Sequence, residues 1–547
     1  MKNNIIDDIT QAIYGLQHEG GWPNFALPKF VVEKPNDKTH GDFACNIALQ
    51  LAPVLKKSPL EIAEEIREHL NAGQYDEVQI APPGFLNFFS ANVQFAQAVQ
   101  EILDKKEKYG SSNQGAQAKV LLEFISANPT GPLTLPNGRG GYLGDVLSNV
   151  YQDQGFDVSR EYYINDRGHQ IDMLGESVMR RYLQSQGINV AYDEELYQGA
   201  YIKELAQKIE LEDYKLSNPE KMEWIKKRVK ELALNLMLTE IKRVVTHKME
   251  IHYDSWFSEK SMYDLNLPKM ILAKLKEKSA IYEKDGAVWL KTTKHGDDKD
   301  RVLIKSSGEG AYMQGDVALF YHRAFERKFQ KIILILGADH HGYEKRLKAI
   351  PPLLQSDTRF DIIFTQMVTL MKGKEEMRMS KRKGDFVTIE ELIDEVGNDV
   401  TRFFFLMYSS DRQMTFDLSL ACEKSEKNPV FYVQYAHARI CSMLKNAEKE
   451  GVPALEKIVI SHAAERSLAR ELMRLPEILE EVVRTYEAHH LTTYAQDLAR
   501  AFHHFYDKCR VIDNDQVLAS RYQLVKATQI VLAKTLKILG VSAPEKM

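Results

Sequence analysis

Three short runs of nearly unbroken apolar residues stand out along the chain: Val120–Ile125, Ile332–Leu336, and Ile362–Phe364 continuing through Met367–Leu370. Apolar runs this short, without polar alternation, predict strands covered on both faces, as in a parallel sheet. A Pro/Gly loop and a helical pattern from about Tyr142 to Gln154 follow the first run. The second and third lie roughly thirty residues apart, the spacing of a βαβ unit. Ligands in such sheets bind beyond the carboxyl ends of the strands, so the loops after Ile125 and Leu336 are where chemistry is expected.

The flanking regions carry other periods. Near the start, Pro59–Arg67 has helical spacing behind Ser58 as a cap, and Val78–Ile80 and Phe85–Phe89 form strand-like runs broken by Pro82-Pro83-Gly84. Residues 172 to about 300 are helix-rich and charged, with a hairpin-like stretch at Ile281–Lys291, and resemble an insertion. From Asn428 onward a 3.6-residue period dominates, over Leu468–Arg484, Tyr494–Val511 and Ala519–Leu539. The expected fold class is therefore α/β: a parallel-sheet Rossmann-type core with a helical insertion, a small α+β N-terminal domain and an all-α C-terminal bundle. The polar Gly110–Gly115 stretch places the first boundary, and the expected domains are 1–110, 111–425 and 426–547.

Composition changes this picture little. A net charge of −5 does not announce a nucleic-acid partner, but binding needs only a local basic patch. No apolar run approaches the roughly 18 residues a membrane span requires, and Met1–Gln17 lacks the layout of a secretory signal. No membrane partner is expected, and the cytoplasm is the default location. Cys45, Cys422, Cys441 and Cys509 form no C-x-x-C pair, so neither zinc, any other protein-held metal, nor a disulfide framework is expected.

Four segments could carry chemistry. The Glu123–Gly140 stretch joins a strand to a helix through prolines and glycines, leaving free N–H groups and a positive dipole end suited to phosphate. Alone, such a loop is more often a plain connection. Lys372–Gly384 holds six basic residues against two acids, and could close over a triphosphate or be a solvated basic turn. Tyr162–Gln170 holds adjacent Asn165 and Asp166, and Tyr312 and Asp316 would share a face if their segment is helical. Polar residues of this kind are more often structural than ligand-binding.

Taken in order, these segments resemble the arginyl-tRNA synthetase family of class I aminoacyl-tRNA synthetases, from end to end. His40–Ala44, Pro83–Phe89, Ser126–Leu133, Tyr163–Gln170, Gly337–Tyr343, Arg378–Gly384, Asn428–Arg439 and Leu539–Met547 carry the resemblance. It implies an arginine–tRNA ligase that makes an arginyl-adenylate from ATP, with Mg²⁺ accompanying the nucleotide. L-arginine and an arginine-accepting tRNA are the implied partners, and a monomer the implied state. The implied ATP site comprises Pro132, Leu133, Thr134, Pro136, Asn137, Gly138, Gly337, Asp339, His340, Gly342 and Lys381. Arginine would meet Glu123, Ser126, Asn128, Tyr312, Asp316 and His340. Thr134, Asn137, Arg378, Ser380 and Lys381 would be catalytic, and Tyr432, Tyr435, Arg439 and Arg500 would contact tRNA. One departure bears on catalysis: Thr134-Leu135-Pro136-Asn137 stands where the family usually has His-x-Gly-His. Either Thr134 and Asn137 act as neutral donors, or the chain is an impaired relative. The complete basic loop and substrate residues favour the first.

Overall fold

The computed structural model describes residues 2–33, 35, 37, 40–71, 74–90, 92–211, 219–373, 375–376, 387–514 and 516–547. At its centre lies a five-stranded, wholly parallel sheet, in the order Arg359–Thr365, Lys331–Gly337, Lys119–Glu123, Asp157–Ile164, Ser255–Ser258. Alternation along each strand explains the unbroken apolar runs. Val120, Leu122, Ile333 and Ile335 point into one core; Leu121, Ile332 and Leu334 point into another on the opposite face.

Two of these strands escape a reading based on apolar runs. Asp157–Ile164 contains Asp, Ser, Arg and Glu, and its Glu161 is fully buried through pairing with Arg323 and Arg327. Ser255–Ser258 is four residues long and lies within the region expected to be a helical insertion. The third apolar run divides: only Arg359–Thr365 joins the core sheet, while Val368–Lys372 pairs with Met414–Asp417 in a separate small sheet. The expected helix over Leu468–Arg484 also divides, into Ala463–Leu472 and Leu475–Thr485, with Pro476 in the first turn of the second.

The most consequential correction concerns the helix after the first strand. It spans Leu135–Asp153 rather than starting near Tyr142, and Thr134 is its N-cap. Its glycines permit the burial: a Cβ at Gly144 would lie 2.2 Å from the Phe124 ring, and one at Gly138 2.4 Å from Ile389.

The N-terminal unit is an antiparallel four-stranded sheet with helices Lys2–His18, Ile47–Leu55 and Pro59–Glu68 packed around its own core. Ser58 caps the last of these through a capping box with Glu61. Asp42 of this unit is ion-paired with Arg470 of the C-terminal helices. Helices His169–Ser185, Ala200–Gln207 and Pro219–Arg243 form the insertion, and the hairpin pairs Ile281–Lys284 with Ala287–Leu290. Helices Pro429–Glu450, His489–Lys508 and Ala519–Leu539 dominate the C-terminal bundle. No described helix is long and apolar enough to cross a membrane.

The bundle is tied to the part of the chain that holds the parallel sheet through Arg402, which is buried against Asp145 and donates to the Met249 carbonyl (2.9 Å) and the Leu539 carbonyl (3.3 Å). Gly540 adopts φ +68°, and a Cβ there would stand 2.0 Å from Arg402 Nη1. Gly540→Ala is therefore expected to cost at least about 1 kcal/mol and lower the thermal midpoint by roughly 1 °C or more, measured by differential scanning calorimetry.

Candidate active site

In the core sheet the chain adds strands to one side of Lys119–Glu123, then returns and adds Lys331–Gly337 and Arg359–Thr365 on the other. This switch opens a crevice beyond the carboxyl ends of Lys119–Glu123 and Lys331–Gly337. The loop leaving Glu123 is strained: Ile125 and Ser126 have φ of 65° and 37°, a region that disfavours β-branched residues strongly. Ser126 Oγ accepts from the Tyr163 backbone N–H (3.0 Å), and the Asn128 and Asn165 amides pair at 3.1 Å.

At the end of this loop Asn137 Oδ1 accepts from both Thr134 N (3.0 Å) and Thr134 Oγ1 (2.8 Å). That arrangement commits the carbonyl end of the amide to the cap and leaves Nδ2 as the donor to other partners. Leu133 and Thr134 also pair with the chain following the basic loop: Ile389 N donates to the Leu133 carbonyl (3.0 Å), and Thr134 bridges Thr388. Arg378, Ser380 and Lys381 lie outside the described residues. Their segment rejoins the described chain at Val387, one residue from the bridge to the helix cap.

Across the crevice, the strand ending at Gly337 runs into a 3₁₀ turn, Ala338–Tyr343. A Cβ at Gly337 would meet Asp339 Oδ1 at 2.5 Å. Asp339 and His340 are 3.7 Å apart and open to solvent, and Gly342 has no atom within 4 Å of where a Cβ would sit.

An acidic pocket adjoins this turn. Tyr312 and Asp316 stand one turn apart at the start of the Tyr312–Tyr321 helix. Asp316 faces Arg346 at 3.4 Å, and Arg346 lies 3.7 Å over the Tyr343 ring. Burial pushes the Asp316 carboxyl up to about 6, against the pull of Arg346 and with a further push from Glu123. Burial also raises the Tyr163 phenol, helped by Glu259, Glu123 and Asp316. Three carboxylates thus act on one hydroxyl. Glu259 is the member that sequence reasoning missed: it follows the overlooked Ser255–Ser258 strand, and nothing local marks it. Burial lifts its carboxyl too, opposed by Arg167. Glu123 is not free, since Arg323 pairs with it and also bonds Glu161 at 2.8 Å. Tyr312 remains 89% exposed, outside the pocket that Glu123 and Asp316 share.

Three family models match along the chain. Residues 98–410 match the family described as tRNA synthetases class I (R), catalytic domain. Residues 3–90 match the arginyl tRNA synthetase N terminal domain, and residues 433–547 the DALR anticodon binding domain. The chain is 43% identical to the arginine–tRNA ligase of Bacillus pumilus, over 100% of this chain and 98% of that relative. It is 44% identical to that of Thermotoga maritima, over 95% and 96%. The chain belongs to the arginyl-tRNA synthetase family. The arginyl-tRNA synthetase of Thermus thermophilus shares the fold, with a TM-score of 0.76 over 100% of both chains at 21% identity.

The C-terminal unit is of the anticodon-binding type. Two of its helices, Pro429–Glu450 and His489–Lys508, present a mixed aromatic and basic face. Tyr432 and Tyr435 flank His503, with ring centroids at 4.9 and 6.2 Å, and Arg439 lies 3.8 Å over Tyr506. Burial and then the Arg439 charge hold His503 below the usual histidine range. Arg500 is paired with Asp497 at 2.7 Å, and its charge reaches Tyr432. All four expected tRNA-contacting residues therefore gather on one face, and His503 and Tyr506 join them.

The raised Asp316 carboxyl has a pH consequence. As pH falls through about 6, Asp316 takes up a proton and the pocket loses a negative charge. Affinity for a guanidinium ligand is expected to be flat above that pH and to weaken by up to about tenfold per pH unit below it, followed by calorimetric titration. Asp316→Asn should flatten the profile.

Proposed function

We propose that the chain joins L-arginine to its cognate tRNA in two steps through an arginyl-adenylate, with Thr134 and Asn137 serving as neutral donors in place of an imidazole pair. The observation that supports this reading is the switch in strand order at Lys119–Glu123, the strand that ends in a pocket carboxylate and leads into the loop before the capped helix. ATP lies along Pro132–Gly138 and the turn containing Gly337, Asp339, His340 and Gly342. The guanidinium, with its planar fork of donors, meets Asp316 and Glu123, and Tyr312 folds inward over it. Ser126, Asn128 and His340 hold the amino acid's backbone end.

The arginine carboxylate attacks the α-phosphorus of ATP, an arginyl-adenylate forms, and pyrophosphate leaves. Asn137 Nδ2 and the free N–H groups of the helix start donate to phosphate oxygens as charge develops on them. Arg378, Ser380 and Lys381 accompany the departing pyrophosphate. The terminal ribose hydroxyl of tRNA then attacks the arginyl carbonyl, and AMP is released. No protein nucleophile takes part, and rate enhancement comes from positioning and charge stabilisation. Mg²⁺ would accompany ATP as part of the substrate and would offset phosphate charge. The described residues contain no cluster of three metal-ligating side chains that would hold it alone. The Tyr432, Tyr435, Arg439 and Arg500 face stacks on splayed anticodon bases.

ATP–pyrophosphate exchange tests the proposal. Exchange with arginine is expected in the presence of cognate tRNA, and exchange with a different amino acid, or none despite tight tRNA binding, would sink it. Asn137→Asp keeps the acceptor for Thr134 but replaces the outward amide with a charge that repels phosphate. It should slow exchange by at least about 100-fold, whereas Thr134→Ser should stay within a few fold of the parent. Arg439→Ala should raise the tRNA KM about tenfold and leave the arginine KM unchanged, read in steady-state aminoacylation.

A further inference from the structure

The strained loop after the first core strand is held by tyrosine hydroxyls from three different elements. Tyr253, just ahead of the Ser255–Ser258 strand, donates to the Phe124 carbonyl (2.8 Å). Tyr162, on the Asp157–Ile164 strand, donates to the Ala127 carbonyl (3.0 Å). Tyr201, on the insertion helix Ala200–Gln207, donates to the Thr130 carbonyl (2.8 Å). The three acceptors are evenly spaced along the loop, and Ile125, Ser126 and Asn128 lie between them.

The supporting rings form a block. Tyr253 packs on Phe124 at 4.7 Å and edge-on to Tyr162 at 5.5 Å, and Tyr162 stacks on Trp256 at 4.5 Å. Tyr201 approaches from outside this block, and its hydroxyl sits 3.1 Å from where a Cβ at Gly131 would be. Burial holds all three phenols above the ordinary tyrosine range, so each remains a donor throughout the neutral range. Two consecutive non-glycine residues at positive φ persist only where the surroundings over-determine the backbone. Three directed hydroxyl–carbonyl bonds supply that constraint.

We propose that Tyr162, Tyr201 and Tyr253 are positioning residues that preset the substrate loop, and that Tyr201 makes the helical insertion part of the arginine and ATP site. None of them touches a reacting atom. Each fixes a carbonyl and thereby the aim of the neighbouring side chains and of the helix cap beyond. The inference rests on the reading that this loop holds arginine and ATP.

Full-length Tyr201→Phe, which keeps the ring and removes only the hydroxyl, is the deciding variant. ATP–pyrophosphate exchange with cognate tRNA is measured while arginine and ATP are varied separately, beside the thermal midpoint. The expected result is an approximately 5- to 10-fold loss of kcat/KM for both substrates, with the midpoint within about 2 °C of the parent. Tyr162→Phe and Tyr253→Phe should act in the same direction. Because those two belong to the packed ring block, a folding defect in either leaves the decision with Tyr201→Phe. Unchanged kinetics in Tyr201→Phe would overturn the inference. Asn128→Ala separates this from the underlying reading: a raised arginine KM there with Tyr201→Phe silent retires only the positioning role. An unaltered arginine KM in Asn128→Ala removes the substrate loop itself and the inference with it.

Discussion

A parallel sheet that grows first to one side and then to the other cannot close over its own centre. Crossovers in such sheets keep one hand, so reversing the direction of growth sends successive connections to opposite faces. The loops at the carboxyl ends of Lys119–Glu123 and Lys331–Gly337 therefore diverge and leave a crevice between them. The groups proposed to hold ATP and arginine are arranged around this divergence. The Glu123–Thr134 loop forms one wall and the Gly337–Tyr343 turn the other, and Asp316 enters from the helix that precedes the second strand.

Clustered carboxylates carry a cost of their own. Glu123, Glu259 and Asp316 lie close enough to influence the same phenol, and close carboxylates in a desolvated site repel. Internal guanidinium groups carry part of the compensation. Arg323 bridges Glu123 and Glu161, Arg327 adds to Glu161, and Arg346 faces Asp316. Burial alone would raise the Glu161 carboxyl, but Arg323 and Arg327 outweigh it and hold it below the usual range. Asp316, with one partner at 3.4 Å, is left at about 6. The pocket thus separates a permanently paired carboxylate from one whose charge depends on its surroundings.

The Leu135–Asp153 helix connects the crevice to the rest of the molecule. Over its 19 residues, roughly 28 Å, it starts at the Thr134 cap and ends against the C-terminal helices. Tyr151 donates to the Val483 carbonyl (3.0 Å), Asn149 to the Ile538 carbonyl (2.9 Å), and Asp145 pairs with the Arg402 that binds the Leu539 carbonyl. Arg139 adds bonds of 2.8 Å to the carbonyls of Gln366 and Ser409. The Thr134 cap and the anticodon-type bundle are consequently fixed to opposite ends of one buried rod.

Local pattern alone was enough for the apolar central strands, the capped Pro59–Glu68 helix, the last helix at Ala519–Leu539 and the succession of strand, loop and helix after Val120, though not for where that helix starts, because each is written in the spacing of neighbouring residues. The order of motifs along the chain was enough for the family. What tertiary structure decided was everything that depends on residues far apart in sequence. Asp157–Ile164 is a core strand because Arg323 and Arg327 neutralise its buried Glu161. Glu259 is a pocket residue because its short strand pairs in register with Asp157–Ile164. The helix reaches back to Leu135 because Asn137 caps onto Thr134 and Ile389 packs where Gly138 has no side chain. Apolar periodicity reports which face of an element is dry. It carries no information about which distant charge, hydroxyl or carbonyl will be waiting on that face.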